Sequence, residues 1–220
     1  MMKMELIRKT EAFLREKFDE GRYFSAHPLE KAYRLEHTWR VANIGRKIAA
    51  AEGFDETEMV IACLLHDISY CQDMTEEDWR NHGRISAKIA RPFLETLSLP
   101  PERLEDICYG IAIHVDEKAD FPGRKTAFAM TVCEADNIDR FDVYRIHENL
   151  SNDGFLKMPF SEKQEYVTKR LARLRELIEI RFSTRTAREI WTERLQFYIL
   201  YFEKLAEQLD NSCGLAEVPC

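Results

Sequence analysis

A chain of 220 residues with 45% hydrophobic and 32% charged side chains has apolar material for one large domain, or a core domain with an extension. Its 8 glycines and 7 prolines are too few for the many tight turns of an all-β protein. A net charge of -7 argues against a general nucleic-acid binder, whose main affinity term needs a basic surface.

The opening Met1-Met2-Lys3-Met4-Glu5-Leu6-Ile7-Arg8-Lys9 interleaves charges too early for the apolar core of a signal peptide. No apolar run approaches the length needed to cross a bilayer. The expected compartment is the cytoplasm, without membrane contact, where Cys63, Cys71, Cys108, Cys133, Cys213 and Cys220 stay reduced. They form no CxxC pair, which removes zinc-finger and thioredoxin-type sites. Most read as small core residues, and the two near the C-terminus as exposed ones.

Helical periodicity dominates from the start. Leu6, Phe13, Leu14 and Phe18 give a first helix from Met4 to about Glu20, ended by Gly21. A second runs from about Leu29 to Glu52 on the stripe Leu35, Thr38/Trp39, Ala42, Ile48/Ala49, and Gly53 stops it. Asp55, with Glu58 three residues on, resembles a capping box that opens a third helix carrying His66-Asp67. The acidic stretch Asp73 to Asp78 reads as a connection. A helix from about Asn81 to Leu97 follows, with Pro92 as an expected kink. Pro100-Pro101 resets the chain before a helix from Glu102 to His114. Asp116 to Lys125 is a loop, with the option of acting as a lid, and Phe128 to Arg140 is helical again.

Beyond Asn152-Asp153-Gly154, two long amphipathic helices are expected, at about Ser161 to Arg181 and Thr184 to Leu209. The basic residues Lys169, Arg170, Arg173, Arg175, Arg181, Arg185 and Arg188 are interspersed with Glu176, Glu179 and Glu189. This is the pattern of a solvated, salt-bridged face. The stripe from Trp191 to Phe202 reads as core packing, and a homodimer face on these C-terminal helices would have the same pattern. The fold class is therefore all-α, a bundle of roughly eight helices. Residues 1–150 form the core domain, and 151–220 a two-helix extension packed on it.

The six histidines include no two within five residues of one another, so the HExxH zinc motif is absent. Any metal ligands must converge from separate helices. His37 lies about 15 residues before the turn at Gly53 and His66 about 13 after it, excursions of ~22 Å out and ~20 Å back in an antiparallel hairpin. His82 and His114 flank the turn at Leu97–Pro101 in the same way. Four histidines can thus share one layer. A single helical histidine is more often an ordinary surface or core residue than a ligand. Here, however, Asp67 ends the apolar run Val60-Ile61-Ala62-Cys63-Leu64-Leu65, and Asp136 follows Ala129-Met130-Thr131-Val132-Cys133. A carboxylate beside such a face is costly without a positive partner, and a divalent cation serves both. His27 and His147 have no such neighbour.

The segments Glu36-His37-Thr38-Trp39-Arg40-Val41, Leu64-Leu65-His66-Asp67-Ile68 and Glu134-Ala135-Asp136-Asn137-Ile138 resemble the signature of the HD superfamily of metal-dependent phosphohydrolases. The resemblance covers about residues 30 to 145. It implies that His37, His66, Asp67 and Asp136 hold one metal. Asp67 would bridge to a second metal held by His82, in Asn81-His82-Gly83-Arg84, and by His114, in Ile111-Ala112-Ile113-His114. Imidazoles with two carboxylates favour a divalent transition metal, Fe or Mn ahead of Ni, Zn or Mg.

Such a centre implies hydrolysis of a small phosphorylated metabolite or nucleotide, with Asp67 central to the catalysis. Two metals lower the pKa of a bridging water and clamp the phosphoryl oxygens. No GxSxG elbow or P-loop competes with this reading. Arg40, Arg84 and Arg140 are the candidate phosphate contacts, Arg40 first because it shares a helix face with His37. After the HD pair, Ile68-Ser69-Tyr70 stands where many relatives carry a Lys that reaches the phosphate. Two alternatives use the same residues: a mixed-valent di-iron oxygenase of this fold, and a non-catalytic metal- or nucleotide-binding module.

Overall fold

The computed structural model describes residues 2–141 and 143–212. Among them, ten α-helices and three short 3-10 turns occur and no strand, in agreement with the all-α reading. Cys213 and Cys220 lie outside the described residues; Cys63, Cys71, Cys108 and Cys133 are free thiols. No helix of the described residues is long and apolar enough to cross a membrane.

The chain divides into two units, Met1–Asp139 with Ser183–Ala187, and Arg140–Phe182 with Arg188–Cys220. The first is built on α1 (Met2–Glu20), α2 (Arg22–Ala26), α3 (Pro28–Glu52), α4 (Glu56–Leu65), α5 (Glu76–Glu95), α6 (Pro101–Ile113) and α7 (Ala127–Asp139). Gly53 adopts the left-handed conformation (φ 77°) that ends α3. Asp55 then caps α4, accepting from the amides of Thr57 (2.8 Å) and Glu58 (3.1 Å). Only half of the expected box forms there, because the Glu58 carboxylate pairs with Arg103 instead. The complete capping box is at Thr75 and Asp78, and it starts α5 within the stretch read as an acidic connection. Pro92 lies inside α5, which continues to Glu95.

The hairpins α3–α4 and α5–α6 form as the spacing of the histidines requires, and α7 packs on α3 and α6. Val41, Ile48, Met59, Ile61, Leu65, Ile107, Ile111 and Val132 are essentially without solvent contact in this core. Two glycines let the helices approach. A Cβ on Gly45 would stand 2.6 Å from the Cys63 sulfur, and one on Gly83 would stand 2.6 Å from the Ala112 carbonyl oxygen and 3.0 Å from His114 Nδ1. A thiol at a side-chain end can yield, but a helix backbone cannot. We therefore expect Gly83→Ala to lower stability by about 1–3 kcal/mol through overpacking. Gly45→Ala should cost less, offset by the ~1 kcal/mol gained in helix propensity. Thermal melts compare the two, and equal losses would contradict this packing.

The segment Ser183–Ala187 belongs to this first unit through specific bonds. Glu134 accepts from both the backbone N–H and the hydroxyl of Ser183, and Glu52 accepts from the Thr186 amide at 2.8 Å.

The second unit contains α8 (Val143–Asn152), α9 (Phe160–Glu176) and most of α10 (Arg185–Asp210). α9 ends five residues before the expected Arg181, because Leu177–Glu179 tightens into a 3-10 turn. The aromatic stripe of α10 is core, as its period indicates: Trp191, Leu195, Tyr198 and Phe202 are all buried. Phe141 meets Trp191 with ring centroids 4.4 Å apart. The basic face is salt-bridged, with Lys169, Arg170, Arg173 and Arg175 each beside a carboxylate.

Candidate metal centre

His37 stands in the third turn of α3, His66 and His114 cap the C-terminal ends of α4 and α6, and His82 lies in the second turn of α5. Their rings meet in a chain, with centroids 5.4 Å apart for His37 and His66, 5.0 Å for His66 and His114, and 4.8 Å for His82 and His114. All four are buried, together with Asp67 and Asp136. The structure thus brings together the six residues singled out in the sequence.

Asp67 is the hub. Its Oδ2 lies 3.6 Å from His37 Nε2 and 3.5 Å from His66 Nε2. Its Oδ1 lies 3.3 Å from His82 Nε2 and 3.5 Å from His114 Nε2. Asp136 Oδ1 adds a contact to His37 Nε2 at 3.2 Å and approaches His66 Nε2 at 4.0 Å. Two sets of converging donor atoms result, His37–His66–Asp67 and Asp67–His82–His114, with Asp67 common to both.

The second nitrogen of each ring explains this aim. Nδ1 of His66, His82 and His114 each lies 2.7 Å from the carbonyl oxygen three residues earlier, that of Cys63, Trp79 and Ile111. A carbonyl only accepts, so Nδ1 carries the proton and the Nε2 lone pair points inward. His37 uses a carboxylate for the same purpose. Its Nδ1 lies 2.8 Å from Asp139 Oδ2, and Asp139 is held in turn by Arg40, whose Nε donates at 2.8 Å and Nη2 at 3.2 Å.

These orientations leave a concentration of inward-facing lone pairs that a cation would satisfy. His82 Nε2 and His114 Nε2 face each other at 3.1 Å, and His66 Nε2 is buried with no hydrogen-bond partner. Leaving such an acceptor unmade costs about 1–3 kcal/mol. The titration behaviour agrees. Burial alone would neutralise His37, but its hydrogen bonds to Asp136 and Asp139 push its pKa up to about 9. Burial likewise opposes charge on His82, and the Asp67 carboxylate raises it nonetheless. Burial lowers His66 to about 4, so it stays a neutral donor. Burial would raise Asp67, but the Arg34 guanidinium beside it holds its carboxyl well below the usual range. The field that gathers protons here suits a divalent metal, and nitrogen with oxygen donors suits a transition metal.

The candidate phosphate contacts are dispersed. Arg40 is engaged by Asp139. Arg84 pairs through Nη1 with both oxygens of Asp116, at 2.9 and 3.0 Å, and so ties down the loop after His114. Lys88 holds Asp120 of that loop at 2.9 Å. Arg140 is exposed and begins the second unit. The arginine at the centre is one the sequence reading missed: Arg34 Nη1 donates to Asp67 Oδ2 at 2.6 Å. Its guanidinium lies 3.6 Å over the ring of Tyr70. Asp139 was missed as well. Helical spacing holds the signal for both, since Arg34, His37 and Arg40 recur every three residues, as do Asp136 and Asp139. His27 and His147 are exposed, away from any such cluster.

Fold and site together define an all-helical domain whose His/Asp cluster suits a divalent metal. Residues 34–140, 107 of the 220, match the HD domain. The matched segment contains both triads, Asp136 and Asp139. The chain is also similar to a crystal structure described as a predicted HD superfamily hydrolase from an uncultured Thermotogales bacterium. The TM-score is 0.62 at 20% identity over 91% of each chain, a likeness of fold. No curated protein matches the sequence.

Proposed function

We propose that this protein is a metal-dependent phosphohydrolase that acts on a small phosphorylated metabolite or nucleotide with two divalent ions, Fe or Mn. The observation that carries this reading is the sharing of Asp67 between two triads, each lined by Nε2 atoms whose rings are fixed from behind. His37, His66, Asp67 and Asp136 would hold one ion, and Asp67, His82 and His114 the other. When bound, such a pair activates a water for attack and neutralises the phosphoryl oxygens.

The chain's own groups have distinct tasks. Arg34 presents a cation beside Asp67 and is the residue best placed to meet a substrate phosphate, with the planar donor fork that phosphate prefers. Asp139 keeps the proton on Nδ1 of His37, and Arg40 holds Asp139, so Arg40 is a positioning residue. We expect Asp139→Asn to weaken metal affinity by about 10–100-fold, the usual effect of losing a carboxylate behind a ligating histidine. Competition with a chelator measures this, and unchanged affinity would remove Asp139 from the account.

The proposal is tested by phosphate release from nucleoside phosphates, dinucleoside polyphosphates, sugar phosphates and phosphonates with Mn or Fe(II). Release that depends on the metal supports it. Oxygen consumption without phosphate release would overturn it in favour of oxidative chemistry at the same residues.

A further inference from the structure

The inner donor set, His37–His66–Asp67, and the outer set, Asp67–His82–His114, are held together in different ways. His66 directly precedes Asp67 at the end of α4, so chain continuity keeps the carboxylate beside the inner set. His82 reaches the same carboxylate from α5, beyond residues 72–75, which have no regular structure. The 3.3 Å between Asp67 Oδ1 and His82 Nε2 therefore depends on what joins the turn after Asp67 to α5.

A pair of serines makes that join. In the 3-10 turn Ile68–Cys71, the backbone N–H of Ser69 donates to Ser86 Oγ at 3.2 Å. The Ser86 hydroxyl donates in turn to Ser69 Oγ at 3.0 Å. Ser69 lies two residues after Asp67, and Ser86 lies four after His82 on the same face of α5. Neither serine has solvent contact, so water does not replace a lost partner. The two bonds differ in what they fix. The first holds a backbone position beside the shared carboxylate, whereas the second holds a side chain. Packing adds to the join, since the Tyr70 ring meets His82 with centroids 5.5 Å apart. Ring contacts tolerate a small slide, but a hydrogen bond weakens steeply as its angle closes.

We infer that Ser86 is a positioning residue for the outer ion. It sets the spacing of Asp67 and His82, and through it the affinity for the second metal, without ligating that metal. The inference rests on the two-ion reading of the centre, and its test uses Mn(II) alone, without substrate or turnover. Calorimetric titration of the chelator-stripped full chain should find two ions bound, and the event lost in His82→Ala identifies the outer one. Ser86→Ala should weaken the outer ion by about tenfold or more and leave the inner ion within about twofold. Ser69→Ala keeps the N–H bond to Ser86 Oγ, and the Ser86 hydroxyl has the carbonyl one turn back in α5 as its acceptor. Both ions should then stay within about threefold of the wild type. A merely structural role would lower the melting temperature of either variant without separating the two ions.

An unchanged outer ion in a folded Ser86→Ala protein, or equal weakening of both ions, would overturn the inference. Should Ser86→Ala not fold, Ser86→Cys keeps the shape with a weak sulfur acceptor, and an outer ion bound as in the wild type overturns it equally. A wild-type protein that takes up fewer than two ions would overturn the two-ion reading itself, and the inference with it.

Discussion

Replacing Asp67 by Asn should strip the protein of metal and lower phosphate release by about a thousandfold or more. Asp67 is the residue common to both triads, and its two oxygens face four histidines at 3.3 to 3.6 Å. Asn keeps the shape but removes the charge that offsets two cations. The ions in such a centre supply several kcal/mol of transition-state stabilisation, and each 1.4 kcal/mol is a factor of ten in rate. Arg34 also loses its carboxylate partner, so the variant should melt somewhat lower while keeping its helical content. Circular dichroism and elemental analysis on one preparation separate these effects. A folded Asp67→Asn protein with its full metal complement would contradict the shared-ligand geometry.

The second large effect is expected at the other triad. His82→Ala or His114→Ala should reduce the bound metal from two ions to one and cost about a hundredfold or more in phosphate release. His37, His66, Asp67 and Asp136 remain in place in both variants. The rings of His82 and His114 contribute Nε2 atoms 3.1 Å apart, and either one alone leaves the outer position with two ligands. Loss of the fold, in place of loss of one ion, would mark the site as structural and favour a non-catalytic module.

The major helices were legible because their apolar stripes are long and their ends are marked. Gly53 in the left-handed region and Asp55 at the next N-cap delimit α3 and α4 on chemistry that the sequence displays. The five-residue α2 and the ten-residue α8 escaped, since each has a single buried residue, Phe24 and Ile146, too little to establish a period. The start of α5 was mistaken for a connection because Glu76, Glu77 and Asp78 are polar. Acidic residues belong at a helix N-terminus, where they face its positive end.

At the site, the equal excursions of the two hairpins foretold the layer of four histidines. The resemblance to the HD signature named Asp67 and Asp136 as their companions. What the sequence does not display is which nearby charges turn inward. Arg40 and Arg34 are equally spaced from His37, yet one supports Asp139 and the other contacts Asp67. Only packing against Tyr70 and α7 separates those roles.

The central claim is that two sets of donors sharing Asp67 hold two transition-metal ions. Elemental analysis of freshly purified protein tests it most directly. The account predicts two ions of Fe or Mn per chain, lost on chelation together with phosphate release and regained with it on adding Mn or Fe(II). A protein that carries no transition metal and takes none up would contradict it.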